Sequence, residues 1–235
     1  VPSKYRWYFK TNWDEGWSGV ISFGWGGASE LMPVTGDWDG DGINTPAFYK
    51  PSQYKWYIKN DHTTGWAGVT SFQWGGAADL TPIAGDWDGD GDDTVGFYNP
   101  DTGEWFLKDE NTPGWTGFTK VIWGGAAENI PLVGDWNGDG SDTIGYYVPS
   151  AKRWWLKPDL TDGWGGVTGF TFGTADPMEP VTGDWDGDGI DTVGGYTAAK
   201  WRWFLKDDQV SGWSNVFNLK FGPTVPYQVL AGGWQ

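Results

Sequence analysis

Apolar and polar positions alternate over short distances along this chain, and turn residues interrupt the alternation every few residues. Residues 82–123 show the unit. The segment 82–87 is short and apolar, and 94–98 alternates. Glu104-Trp105-Phe106-Leu107-Lys108 follows the turn Asn99-Pro100-Asp101-Thr102-Gly103, and 119–123 follows a Gly114-Trp115 loop. Short aromatic and β-branched runs between Gly, Pro, Asn and Asp turns read as antiparallel strands. The unit returns at a spacing of 49 residues, anchored at Gly36, Gly85, Gly134, Gly183 and Gly232. An unbroken period of this size means a repeat architecture, and four strands per period is the pattern of a propeller blade. Trp7, Trp56, Trp105, Trp154 and Trp203 mark the third strand five times. The expectation is an all-β, five-bladed β-propeller forming a single domain over residues 1–235.

The two ends are out of phase. Pro2-Ser3-Lys4-Tyr5-Arg6-Trp7 matches Pro51-Ser52-Gln53-Tyr54-Lys55-Trp56. The chain therefore enters before a third strand and leaves on a first one. The fifth blade is expected to join strands at 5–10 and 20–25 to one at 227–234, with its second strand and most of its acidic loop missing. A monomer is expected, with strand exchange between chains as the alternative closure.

Composition changes this picture in three ways. Aromatic residues make up 18% of the chain, with 21 Trp, so a core can be built although only 38% is hydrophobic. The formal net charge is −16, which argues against a nucleic-acid partner because phosphate binding needs a basic face. Cysteine is absent, which excludes disulfides and thiolate sites. No apolar run is long enough to span a bilayer. Val1 opens no signal-peptide pattern, as in a mature or cloned fragment.

Much of the acidity lies in one heptad, Gly36-Asp37-Trp38-Asp39-Gly40-Asp41-Gly42, and its copies at 85–91, 134–140 and 183–189. The fifth copy is worn to Gly232-Gly233-Trp234-Gln235. Counting the first Asp as position 1, side-chain oxygens fall at 1, 3 and 5: Asp37, Asp39, Asp41; Asp86, Asp88, Asp90; Asp135, Asn137, Asp139; Asp184, Asp186, Asp188. A glycine follows at position 6, where a sharp turn with positive φ is allowed. Position 7 offers the carbonyl of Ile43, Asp92, Ser141 or Ile190, and position 8 the side chain of Asn44, Asp93, Asp142 or Asp191. Six to eight hard oxygens suit Ca²⁺. About four calcium sites are expected, one per intact loop. The competing reading is an Asp/Gly turn with no ion.

On these residues the chain resembles the FG-GAP (integrin-α-like, VCBS-type) propeller repeats, whose calcium loop reads Asp-x-Asp-x-Asp-Gly followed by another Asp. That family places the last ligand at position 9, where this chain has Thr45, Thr94, Thr143 and Thr192. EF-hands and dockerins share the spacing but carry a ligand at position 12, which here is Phe48, Phe97, Tyr146 or Gly195. Weak calcium loops in extracellular modules match millimolar calcium, so a secreted or cell-surface location is expected.

A Gly-Trp pair recurs at Trp17, Trp66, Trp115, Trp164 and Trp213. An indole face suits the C–H face of a sugar, and five copies would add avidity. The alternative is an aromatic wedge between blades. Up-and-down strand order places these loops on the same rim as the calcium loops. The third-strand Trp set and Trp38, Trp87, Trp136, Trp185 and Trp234 are expected to be core. His62, the sole histidine, is expected to be a surface residue without a role. The acids repeat blade by blade, as metal ligands do, whereas a glycosidase needs distinct acids on distinct blades. No catalytic residue is assigned. The expected function is a calcium-binding, non-enzymatic, carbohydrate-binding or adhesive module. The alternatives are a structural or protein-interaction propeller of a larger surface protein, or an amplified repeat propeller with no ligand beyond calcium.

Overall fold

The computed structural model describes residues 6–27, 30–76 and 79–222. Among these, every regular element is a strand except two one-turn 3₁₀ segments, Pro51–Gln53 and Pro149–Ala151. The chain opens with a two-stranded antiparallel sheet, β1 (Arg6–Lys10) and β2 (Val20–Gly24). Four four-stranded antiparallel sheets follow. Sheet one holds β3 (Met32–Gly36), β4 (Thr45–Lys50), β5 (Lys55–Ile58) and β6 (Thr70–Gln73). Sheet two holds β7 (Thr81–Gly85), β8 (Thr94–Asn99), β9 (Glu104–Lys108) and β10 (Phe118–Ile122). Sheet three holds β11 (Ile130–Gly134), β12 (Thr143–Val148), β13 (Arg153–Leu156) and β14 (Thr168–Thr171). Sheet four holds β15 (Glu179–Gly183), β16 (Thr192–Thr197), β17 (Arg202–Lys206) and β18 (Val216–Lys220). The sheets are arranged like propeller blades, with first strands β3, β7, β11 and β15 packed in succession around a central cavity.

Burial is greatest in the second strands and falls outwards from them, and residue choice follows it. The second strands are buried almost along their whole length, as in Thr45–Lys50 and Thr192–Thr197. They read as near-continuous apolar runs because both faces meet protein. Third strands alternate, with Trp56 and Ile58 inward and Lys55 and Tyr57 outward. Outermost strands bury one residue each: Phe72, Val121, Phe170 and Leu219. The expected second and third strands at 94–98 and 104–108 match within a residue. The expected first strand at 82–87 stops at Gly85, and Trp87 belongs to the loop that follows. The expected closing strand at 227–234 lies outside the described residues.

Sheets are joined by aromatic residues of one second strand inserted against the sheet before it. Phe48 lies 4.7 Å from Trp25 and 5.2 Å from Trp7. Phe97 lies 4.9 Å from Trp74, and Tyr146 lies 4.7 Å from Trp123. Each such ring contributes about 1.5–3 kcal/mol through burial. Sheet four has Gly195 at this position, and the buried Met178 fills the space, 1.9 Å from where a Cβ would sit.

The anchor glycines allow the close approach of neighbouring sheets. A Cβ on Gly134 would come 2.7 Å from the Asp191 carboxylate and 2.9 Å from the Trp136 ring. Gly134→Ala is expected to cost about 1–3 kcal/mol, seen as a lower urea midpoint with an unchanged circular dichroism spectrum. A wild-type midpoint would show that the sheets have slack at this contact.

Candidate functional site

The loops between first and second strands are shaped by their own first acid. Asp37 Oδ2 accepts the Gly42 N–H at 2.7 Å and Oδ1 accepts the Asp41 N–H at 3.2 Å. Asp86, Asp135 and Asp184 hold the equivalent N–H groups. The fifth-position acids accept the N–H two residues on, as Ile43 donates to Asp41 at 2.9 Å. The same bond runs from Asp92 to Asp90, Ser141 to Asp139 and Ile190 to Asp188. This is turn chemistry and needs no ion.

The charge arrangement goes further. Carboxylate oxygens of Asp37, Asp39 and Asp41 lie within 4.8 Å of one another, as do those of Asp86, Asp88 and Asp90, and of Asp184, Asp186 and Asp188. Like charges this close repel, yet among the described residues no Lys or Arg pairs with them. The ion pairs go instead to Glu30, Asp61, Glu104, Asp159, Asp176 and Asp208. Converging oxygen donors without counter-charge fit a hard divalent cation. Burial pushes the Asp86 carboxyl upward even though Gly91, Gly89 and Asp90 N–H groups hold it down. Burial also raises Asp92, with Asp90, Asp37 and Asp39 adding repulsion. The third loop differs: Asn137 Nδ2 donates to Asp139 Oδ2 at 3.0 Å, so its amide already relieves one acid.

The position-8 acids Asp93, Asp142 and Asp191 do not join these clusters. Asp93 belongs to sheet two, but its Oδ2 accepts the Asp37 N–H of sheet one at 2.8 Å, and its N–H donates to the Asp37 carbonyl at 2.6 Å. Asp142 clips Asp86 and Asp191 clips Asp135 in the same way. These acids therefore staple one sheet's loop to the next. Together with Asn44 they line the central cavity. Position 7 also reaches across: a Cβ on Gly40 would meet Asp92 Oδ1 at 2.4 Å, and one on Gly89 would meet Ser141 Oγ at 2.7 Å. Ile190 packs on Gly138. The four loops thus stack each on the next.

Enclosure in the cavity wall dominates the charge state of the staples. Burial pushes Asp93 up to about 7, against the Asp37 N–H that lowers it, with Asp37, Asp86 and Asp191 adding repulsion. Burial likewise lifts Asp191 to about 7, and lifts Asp142 well above the carboxylate range beside Asp93 and Asp191. A carboxyl raised in the fold favours folding when protonated, and that contribution is lost as pH rises from about 4 through 7. In EDTA the melting temperature is therefore expected to rise between pH 7.5 and pH 5.5, and Asp142→Asn to flatten this rise. A melting temperature that falls on acidification in both proteins would contradict it.

The Gly-Trp loops begin beside the acidic loops, where Asn60 Nδ2 donates to Asp39 Oδ2 at 3.0 Å. Their tips do not stay on that rim; they lean across to the sheet before. Gly65 N–H donates to Gly24 O, Gly114 to Gln73 O, Gly212 to Thr171 O and Gly16 to Lys220 O, all between 2.9 and 3.2 Å. The five tryptophans are half exposed, from 46% at Trp115 to 56% at Trp164. Each is gripped between a ring of the sheet before and a ring of its own third strand. Trp66 stands edge-on to Trp25 at 5.5 Å and Tyr57 at 5.4 Å. Trp164 does the same with Trp123 at 5.5 Å and Trp155 at 5.2 Å. Each indole is thus packed on one side, as a wedge is, and open on the other.

Sequence reasoning missed what holds these loops. Lys10, Lys59, Lys108, Lys157 and Lys206 stand at or one residue past the end of β1 and the third strands and are buried. Lys108 Nζ donates to Gly114 O at 3.2 Å and Thr116 O at 2.6 Å, on either side of Trp115. Lys206 donates to Ser214 O at 2.9 Å, and Lys59 to Ala67 O at 3.3 Å. Lys157 pairs with Asp159 at 2.9 Å, which pulls that carboxyl down to about 2 alongside the larger effect of the Thr161 hydroxyl. Their signal was a lysine at one position of every repeat in an acidic chain. His62 is also corrected. Its ring lies 4.4 Å from Phe9, and Nε2 is 2.9 Å from the Asn44 carbonyl, so it links the two-stranded sheet to the first acidic loop.

The third-strand tryptophans Trp56, Trp105 and Trp154 are fully buried, and Trp38 and Trp136 are buried in the loops. Trp87, Trp185 and Trp203 are half-buried. Trp234 lies outside the described residues. Among the described residues, no helix is long and apolar enough to cross a membrane.

No protein-family model matches this chain, and no curated protein matches it. Among solved structures it is similar to an Agrocybe aegerita lectin described by its specific recognition of non-reducing terminal N-acetylglucosamine. The identity is 16%, the TM-score 0.48, and the match covers 79% of this chain. The chain spans about half of that protein, 51% of its length.

Proposed function

We propose that this chain is a calcium-stabilised, five-bladed propeller of the FG-GAP type that binds carbohydrate without catalysis, in a secreted or cell-surface setting. The fifth blade is built on β1 and β2. Its support is that the two-stranded sheet bonds to two other sheets: the Gly16 N–H in its loop donates to the Lys220 carbonyl of sheet four, and its Gly24 carbonyl accepts from Gly65, in the loop after β5 of sheet one. Calcium is taken by the acids at positions 1, 3 and 5, with about four sites. The donor set and the missing counter-charge favour this reading.

The observation that carries the sugar reading is the repeated, half-open tryptophan at the seam between sheets. An indole held between two rings loses little freedom when it stacks on a pyranose, so stacking is not offset by ordering. Five weak seams on one body give avidity for a multivalent glycan. A glycan array probed in millimolar calcium is expected to show binding that falls at least tenfold when Trp66, Trp115 and Trp164 are replaced by Ala, and more for the multivalent than the monovalent ligand. A blank array at high protein concentration would discard the sugar reading and favour a structural or protein-interaction module.

A further inference from the structure

On the outward face of sheet three, Trp155 lies flat against β14 because Gly169 leaves room; a Cβ there would fall 2.3 Å from its ring. Trp164 stands perpendicular to Trp155, at 80° and 5.2 Å. The Arg153 guanidinium stacks on Trp155 with Cζ 4.4 Å from its ring centroid. That guanidinium is poorly engaged. Nη2 reaches only the Gly169 carbonyl at 3.4 Å, and Nε is enclosed without a partner.

The same position carries Arg6, Lys55 and Arg202 in three other sheets. Lys55 lies over Tyr57 at 5.0 Å, Arg6 bonds Ser22 and Arg202 bonds Asn218. Among the described residues none of these four cations makes an ion pair. In a chain of net charge −16 that is unexpected, since acids are abundant and a cation is readily neutralised. Sheet two is the exception. Glu104 stands at this position and pairs with Lys120 at 2.6 Å.

We propose, building on the carbohydrate reading above, that these seams select a pyranose bearing a carboxylate: the sugar ring stacks on the exposed indole and its carboxylate pairs with the neighbouring guanidinium or ammonium. In sheet three both partners touch Trp155, Trp164 with ring centroids 5.2 Å apart and the Arg153 Cζ 4.4 Å from its ring, and the proposed acidic sugar bridges the two. A planar guanidinium takes a carboxylate in a two-point contact, and charge-assisted hydrogen bonds are the stronger kind. Sheet two lacks the free cation and binds without this selectivity.

The test is calorimetric titration of the full chain in calcium with glucuronate-terminated oligosaccharides, their glucose-terminated counterparts and an acidic peptide. The acidic sugar is expected to bind about tenfold tighter than the neutral one, with the preference shrinking at high salt as a solvent-exposed charge contact must. Replacing Arg6, Lys55, Arg153 and Arg202 together by Gln is expected to keep neutral-sugar binding and remove the preference. Glu104→Gln, which frees Lys120, is expected to add acidic-sugar affinity. Equal binding of both sugars, or a preference that survives the Gln variant, overturns the inference while leaving the carbohydrate reading intact. Binding of neither sugar overturns that reading and the inference with it. Binding of the acidic peptide alone, lost in the Gln variant, assigns the cations to a protein partner instead.

Discussion

Calcium is expected to raise the melting temperature of this protein by about 20–40 °C over the same sample in EDTA. A ligand bound only by the folded state adds about 2.7 kcal/mol per site at a hundredfold excess over its dissociation constant. Four sites together then add roughly 11 kcal/mol, and a chain of this size moves about 2–4 °C per kcal/mol. The loops also repel themselves without metal, since three carboxylates converge within 4.8 Å in Asp86, Asp88 and Asp90 and no cation of the described residues answers them. Titration calorimetry should count about four sites and lose one in Asp88→Ala. The third loop, with its internal Asn137–Asp139 bond, should be the weakest. Identical melting in calcium and EDTA, with no binding heat, would reduce the loops to turns and remove the support for an extracellular setting.

Lys108→Ala is expected to be the most damaging single substitution outside the aromatic core, at about 2–4 kcal/mol. The ammonium is buried and bonds two carbonyls that flank Trp115, with the Trp74 ring 5.9 Å away. Hydrogen bonds to a charged group contribute about 1.5–3 kcal/mol each. Removing the group also removes its own desolvation cost, which is why the net loss is smaller than their sum. Lys108→Met keeps the stem and most of the packing, so it isolates the ammonium. Chemical denaturation measures the loss, and the Trp115-sensitive fluorescence should report a loosened loop in both variants. A Met variant with wild-type stability and spectrum would show that packing of the stem, and not the charge, holds the loop.

The strand rhythm was legible in the sequence because it is local. Alternation in Glu104–Lys108 and the turn at 99–103 each depend on neighbours a few residues away. The acidic loop was legible for the same reason: the Asp37 carboxylate binds N–H groups four and five residues on. The third-strand tryptophans were read as core because they recur on the inward phase of an alternating strand. The role of the position-8 acids was not legible. Spacing within a loop says that a carboxylate is near, but Asp93 spends its hydrogen bonds on Asp37, 56 residues earlier in the chain.

What the sequence determined by itself is the blade unit and its acidic turn, since both arise from contacts within one repeat. Tertiary structure decided how repeats meet. It made Asp93, Asp142 and Asp191 staples in a cavity wall, where enclosure and mutual repulsion raise their carboxyls. It left the Gly-Trp indoles half open, because each packs on a ring of another sheet. Among the described residues, it left both Arg153 and the buried Lys108 without an ion pair. Solvation and charge depend on what surrounds a group in three dimensions, and that surrounding comes from a sheet whose sequence lies some fifty residues away.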